Sequence, residues 1–172
     1  MHEGRWPVVP QPFADEAFGS WFGRVAMRYR MGVSELADQA QIKLDLGHEC
    51  SGWLAAAPPR GASLRQLALL SHLAAKTLRA MPFGDSAAGK FYFCDPCFVL
   101  NDEDVTAPYW KSTWLQGQPG YCERHAVDWD HLCGSELSKK TNLRSLAQYV
   151  SERKVARADK AYEAARRAKY GR

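Results

Sequence analysis

Two ligand-type pairs at matched spacing constrain this chain more than any other feature. Cys94 and Cys97 stand two residues apart in FYFCDPCFVL, and Cys122 and His125 repeat that spacing in YCERHAV, with residues 98–121 between them. A metal held by two such pairs needs a tight turn at each and a short span between, which gives four donors around one point. Thiolate and imidazole donors suit Zn²⁺, and four protein ligands leave no open position for a reactive water. Two other chemistries use such residues. A redox Cys-x-x-Cys pair sits in a βαβ setting, for which this region has no pattern. A catalytic zinc keeps an open position beside a general base. The spacing therefore points to one structural Zn²⁺ per chain on Cys94, Cys97, Cys122 and His125. His131 and Cys133 are near enough in sequence to be alternative ligands but lack a second pair. His48 and Cys50 in GHEC read as structural or exposed, His72 as a surface or packing residue, and the acidic run Asp102, Glu103, Asp104 as a solvated loop.

Only five cysteines occur in 172 residues, and the first residues, MHEGRWPVVPQPF, contain no apolar signal-peptide stretch. No run approaches the roughly 18 apolar residues of a membrane span. The expectation is an intracellular, cytoplasmic protein with reduced thiols. No P-loop, no G-x-S-x-G and no carboxylate set for two-metal phosphoryl transfer is present, so no catalytic residue and no small-molecule substrate is expected.

Around the paired ligands the patterning is mostly helical. Phe18, Trp21, Phe22, Val25, Ala26 and Tyr29 recur at helical spacing, with Asp15 placed to cap the helix. Gly32 ends it, and Ser34 is placed to cap a short helix to about Ala40. Pro58-Pro59 ends a helical turn in SGWLAAAPP. Ser63 and Gln66 are spaced as a capping box for a leucine-lined helix, and a break at Ser71-His72 starts another helix that carries Lys76, Thr77 and Arg79. These pairs suit a helix-turn-helix or any αα-hairpin. Aromatic-polar alternation in residues 91–122 reads as short strands and turns. The predicted architecture is mainly α with a small β zinc ribbon: a helix-turn-helix-like region over 1–90, a zinc-ribbon-like module over 91–135 and a basic C-terminal helix over 136–172.

Charge is divided between these regions. Residues 1–137 hold 12 Lys/Arg against 16 Asp/Glu, net −4, and residues 138–172 hold 11 against 3, net +8. A basic tail on a mildly acidic body suits contact with a polyanion. The candidate nucleic-acid contacts are Lys76 and Arg79 in the helical region, and Lys139, Lys140, Arg144, Arg153, Lys154, Arg157, Lys160, Arg166 and Arg167 in the tail. Leu143, Leu146 and Val150 can dock the start of the tail helix. Beyond them only Val155, Ala158, Tyr162 and Ala165 keep an apolar period, a face too thin to bury much.

The order of these parts resembles the TniQ family. PQPFADEAFGSWFGRVA is similar to that family's opening motif, a proline-rich lead-in followed by Glu16, Ser20-Trp21 and Arg24. FCDPCFVLNDEDVTAPYWKSTWLQGQPGYCERHAVDWDHLC is similar to its zinc module: a Cys pair, an acidic residue, Tyr109-Trp110 and a basic residue, a Trp, the C-x-x-H pair and a later Cys. The resemblance covers about residues 6–133. Asp95-Pro96 replaces the usual Pro-x between the cysteines, Lys111 stands where Arg is common, and Cys133 has no partner for the second cysteine-rich segment of larger members. The resemblance implies a short-form, non-enzymatic adaptor for target-site selection in transposition of the Tn7-like, Tni or CRISPR-associated type. Its implied partners are an AAA+ transposition regulator ATPase and a target, either DNA or a CRISPR effector complex with its guide RNA, with no membrane. The alternatives from the residues are a stand-alone zinc-containing helix-turn-helix transcription regulator that reads DNA through residues 63–81, and a zinc hydrolase.

Overall fold

The computed structural model describes residues 5–45, 52–84, 89–99 and 108–170. His48, Cys50 and the run Asp102, Glu103, Asp104 lie outside the described residues. Helices dominate, joined by two small two-stranded sheets, and no described helix is long and apolar enough to cross a membrane.

Helix α1, Phe18–Arg28, is the centre of the molecule. The apolar stripe Phe18, Trp21, Phe22, Val25 and Ala26 is fully buried, and Tyr29 is half-buried just past the helix end. The other face of α1 is buried too, which the stripe alone does not predict. Gly19 and Gly23 lie on that face, and a Cβ at Gly19 would come within 2.3 Å of the Trp53 carbonyl oxygen. A one-turn 3-10 helix, Trp53–Ala55, occupies the space those glycines leave.

The expected caps are corrected. Asp15 does not cap α1; the helix starts after Ala17, without a side-chain cap, and the Asp15 carboxylate pairs with Lys111 at 3.1 Å. Helix α2, Val33–Gln39, starts after Gly32, whose N–H donates to the Glu35 carboxylate, so Ser34 is not the cap. Helix α3, Gly61–Ser71, is preceded by Arg60, and the Ser63 hydroxyl accepts the Lys43 N–H instead of closing a capping box. For Asp15 and Ser63 a tertiary donor takes the group that local reasoning assigned to the helix end. The break after α3 falls where expected, at His72, which is exposed with φ 58°. Helix α4, Ala75–Ala80, follows.

Strand β1, Lys90–Phe93, pairs antiparallel with β4, Asp130–Cys133, so the two ends of the central segment lie side by side. Phe91, Phe93 and Leu132 are buried and Tyr92 and Lys90 face outward, the period-two signature of a sheet with one packed face. Between them lie helix α5, Asp95–Val99, and the hairpin of β2, Tyr121–Cys122, with β3, Val127–Asp128. The strands expected in PYWKSTWLQ are absent. Ser112–Gln116 is a 3-10 helix, and Trp114 and Leu115 pack inward. Trp110 and Trp114 meet edge to face at 5.5 Å, and both contact Phe93, a cluster that an extended strand, whose side chains alternate, would not form in this way. Helix α6, Gly134–Leu137, leads into α7, Leu143–Tyr170. Leu143, Leu146 and Val150 dock α7 as expected, and the buried residues form one hydrophobic cluster from Ala17 to Val150 that runs through all three expected regions.

Candidate metal centre

Four donors converge from two loops. Cys94 directly follows β1 and Cys97 lies one turn later in α5, where the Phe98 N–H donates to the Cys94 carbonyl and turns the backbone so that both thiols face one side. Cys122 ends β2 and His125 lies in the turn before β3, closed by Ala126 at φ 50°. Cys97 Sγ is 3.7 Å from Cys122 Sγ. His125 Nδ1 is 3.4 Å from Cys94 Sγ, 3.2 Å from Cys97 Sγ and 3.5 Å from Cys122 Sγ. All four donor atoms lie within 4.8 Å of one another and could hold a metal ion. A sulfur separation of 3.7 Å is far from the roughly 2.05 Å of a disulfide.

Burial of the cluster penalises its thiolate forms as long as no cation balances them. Burial pushes the Cys94 and Cys97 thiols up, Cys97 to about 12 with hydrogen bonds from its own thiol to Cys122 and Cys94 adding to the rise. Burial acts on Cys122 in the same sense, but the His125 backbone N–H and the neighbouring side chains outweigh it and bring Cys122 to about 7. Ligation requires all three as thiolates, and a divalent cation at their centre would offset their mutual repulsion.

His131 and Cys133 stand outside this cluster. The His131 ring packs against Tyr92 at 5.5 Å, and the Cys133 N–H donates to the Glu136 carboxylate at 2.7 Å. The expected nucleic-acid residues divide into two groups. Lys76, Arg79, Lys139, Arg144, Lys160 and Arg166 are exposed without an acidic partner among the described residues. Arg167 pairs with Glu163 one turn away, and the Lys140 ammonium sits 4.0 Å from the centre of the Tyr149 ring.

Arg153, Lys154 and Arg157 do something the sequence did not reveal: they join α7 to β4 and to the turn between Cys94 and Cys97. Lys154 pairs at 2.9 Å with Asp95, which lies between the two cysteines. Arg153 and Arg157 share Asp130 on β4, and Arg153 also donates to the His131 carbonyl at 2.8 Å. Tyr149 hydrogen-bonds Glu136, which also caps α6. These acidic partners carry no sequence signal, since a carboxylate 20–60 residues from a cation pairs with it only if the fold brings them together.

The Arg157 and Arg153 guanidiniums, against the opposing effect of burial, hold Asp130 below the usual carboxylate range, and hydrogen bonds from Tyr149 and Cys133 do the same for Glu136. A depressed folded value contributes stability that is complete above the unfolded carboxylate value and is lost as pH falls through the folded one. Asp130→Asn is expected to reduce hydrogen-exchange protection in residues 143–157 at pH 7 by about 1 kcal/mol or less, as partly exposed pairs do. The difference from wild type should narrow as pH drops through the carboxylate range; a difference independent of pH would mean the pairs do not hold α7.

Fold and site together define a mainly helical chain with a small β part and a Cys₃His cluster able to hold a metal ion. The sequence matches no family model, and no curated protein or solved structure matches it.

Proposed function

We propose that the chain is a short TniQ-like adaptor for transposition target-site selection, with one structural Zn²⁺ on Cys94, Cys97, Cys122 and His125. In this reading it acts in the bacterial cytoplasm and links a target, DNA or an RNA-guided effector complex, to an AAA+ transposition regulator. The observation that carries the reading is the junction of the two motifs that resemble the family. Glu16, Ser20 and Arg24 from the first motif form one buried network: Arg24 donates to both Glu16 oxygens at 2.9 and 2.8 Å, and Ser20 donates to Glu16 at 2.8 Å. The backbone N–H of Trp110, from the second motif, donates to the Ser20 hydroxyl at 2.7 Å across 90 residues, and the backbone of Lys111 beside it pairs antiparallel with that of Glu16. Residues quoted as two separate signatures thus have a common physical reason to occur together.

Zinc is supported by the donor set and by distance. Tetrahedral bonds of about 2.3 Å to sulfur and 2.0 Å to nitrogen put donors about 3.8 Å apart for a sulfur pair and about 3.5 Å for sulfur and nitrogen. The separations of 3.7 Å and 3.2–3.5 Å follow that pattern. When bound, the ion supplies a cross-link and no reactive water. The chain's own residues fix the first pair to the core through β1 and lock α7 over it through Asp95 and Asp130.

The basic tail is the nucleic-acid element of this proposal. From Ala158 onward α7 is exposed on all sides, and Lys160, Arg166, Arg167 and Lys169 project over roughly 20 Å of helix. Phosphate neutralisation releases counterions, so binding through this element weakens steeply with salt and shows little sequence preference. Deleting residues 158–172 keeps the Arg153, Lys154 and Arg157 fastenings. It is expected to leave the melting temperature unchanged, to weaken DNA and RNA binding at low salt and to flatten the salt dependence, with retention of a co-purifying AAA+ ATPase unaffected. Unchanged nucleic-acid binding with lost ATPase retention would make the tail a protein-docking element. Specific operator binding without any ATPase would favour the transcription-regulator reading, and metal-dependent turnover the hydrolase.

A further inference from the structure

A hollow of about 410 Å³ opens beside the start of α3. Pro58, Pro59, Leu64 and Phe83 make its apolar wall, and Arg60 and Arg79 stand at it. Arg60 also borders a neighbouring depression together with Lys43. No acidic residue lines either surface among the described residues, and neither Arg60 nor Arg79 has a carboxylate partner there. This contrasts with Arg153 and Arg157, whose charges are spent within the fold. Phe83 leaves 56% of its surface exposed, whereas Phe18, Trp21, Phe22 and Trp53 of the helical body are buried.

Guanidinium forks accept either a carboxylate or a phosphate in two-point contact. The wall between the two arginines decides which. It is formed by two prolines, a leucine and a phenylalanine, with no hydroxyl or amide side chain, and it has the volume to seat a large side chain or two. A nucleic-acid strand is followed by a run of cations along a groove, not by two cations flanking one apolar seat. An acidic linear peptide with an aromatic or leucine side chain satisfies both halves of the surface.

We propose that this hollow is a docking site for an acidic, apolar linear segment of a partner protein, its apolar side chain against Leu64 and Phe83 and its carboxylates on Arg60 and Arg79. The site is separate from the tail and from the metal centre, and the proposal stands whether or not the chain serves transposition.

The test uses the full metal-loaded chain and fluorescence anisotropy with three labelled probes. One is a twelve-residue peptide with a central Phe-Leu flanked by Asp and Glu, the second replaces Phe-Leu by Gly-Gly at the same charge, and the third is a twelve-nucleotide oligothymidine. The first peptide is expected to bind, and the second about tenfold more weakly. Arg60→Glu, Arg79→Glu and Phe83→Ser should each weaken the first peptide about tenfold with unchanged thermal melts, and deletion of residues 158–172 should not. Arg79→Ala replaces Arg79→Glu if the charge reversal lowers the melt. Failure of the first peptide to bind, equal binding of both peptides, or binding that follows the tail overturns the proposal. Oligothymidine binding that is lost in Arg60→Glu and Arg79→Glu would assign the surface to nucleic acid instead.

Discussion

Purified protein is expected to carry one equivalent of zinc, and Cys97→Ser or removal of the metal by a chelator should leave it insoluble or largely unfolded. Binding free energy at a structural site becomes folding free energy because the donors converge only in the folded chain, on the order of 10 kcal/mol. That is comparable with the whole stability of an ordinary domain, about 5–15 kcal/mol. The geometry says where the loss begins. The β2–β3 hairpin has two residues per strand, and Tyr121, Glu123, Arg124, Val127 and Asp128 are all exposed. A hairpin that small is not stable in water by itself, and in the proposed reading the metal would tie it to the Cys94–Cys97 turn. Cys97 lies 3.2 Å from His125 and 3.7 Å from Cys122, so its loss severs that tie. Less than half an equivalent of zinc in native protein, or a Cys97→Ser melt equal to wild type, would contradict the structural-metal reading.

The second large effect is expected at Arg24. Its guanidinium and the Glu16 carboxylate are 3% and 0% exposed, so Arg24→Met leaves a buried carboxylate with only Ser20 and the Phe13 N–H as partners. Breaking a buried pair from one side costs about 3–5 kcal/mol. Burial already raises the Glu16 carboxyl above its ordinary value against the opposing pull of Arg24, Ser20 and the Phe13 N–H. Without Arg24 it rises further. An acid whose folded value lies above its unfolded value is least penalised below the unfolded value, and the penalty grows as pH climbs toward the folded one. Urea unfolding should therefore show a larger deficit at pH 7 than at pH 5, and Glu16→Gln added to Arg24→Met should recover part of it. Equal deficits at both pH values would mean that Glu16 is not the group left unpaired.

Much of the candidate site was legible because metal ligation by paired loops is a local code. Cys94 with Cys97 and Cys122 with His125 each sit within one turn, and any fold that closes residues 98–121 brings the pairs together. The α1 stripe was legible for a similar reason, since helical period and burial on one face are properties of a single segment. Helix caps failed because the groups involved, Asp15 and Ser63, had better tertiary partners in Lys111 and the Lys43 amide. The strands expected near Trp110 failed because a 3-10 turn packs Trp110 and Trp114 together against Phe93, and residue alternation does not encode that contact.

By itself, the sequence determined the four donors, the central apolar helix, the break between α3 and α4, and the division of charge between body and tail, all of which depend on spacings of a few residues or on counts. Only the tertiary structure decided that β1 pairs with β4, that α1 is buried on both faces, and that Ser20 meets Trp110. It also separated cations of one composition into two kinds: Arg153, Lys154 and Arg157 hold α7 against Asp95 and Asp130, and Lys160, Arg166 and Lys169 face water. The physical reason is that a charge has the same helix-level signature whether its partner is a carboxylate many residues away or the solvent. Only long-range folding puts that carboxylate within reach.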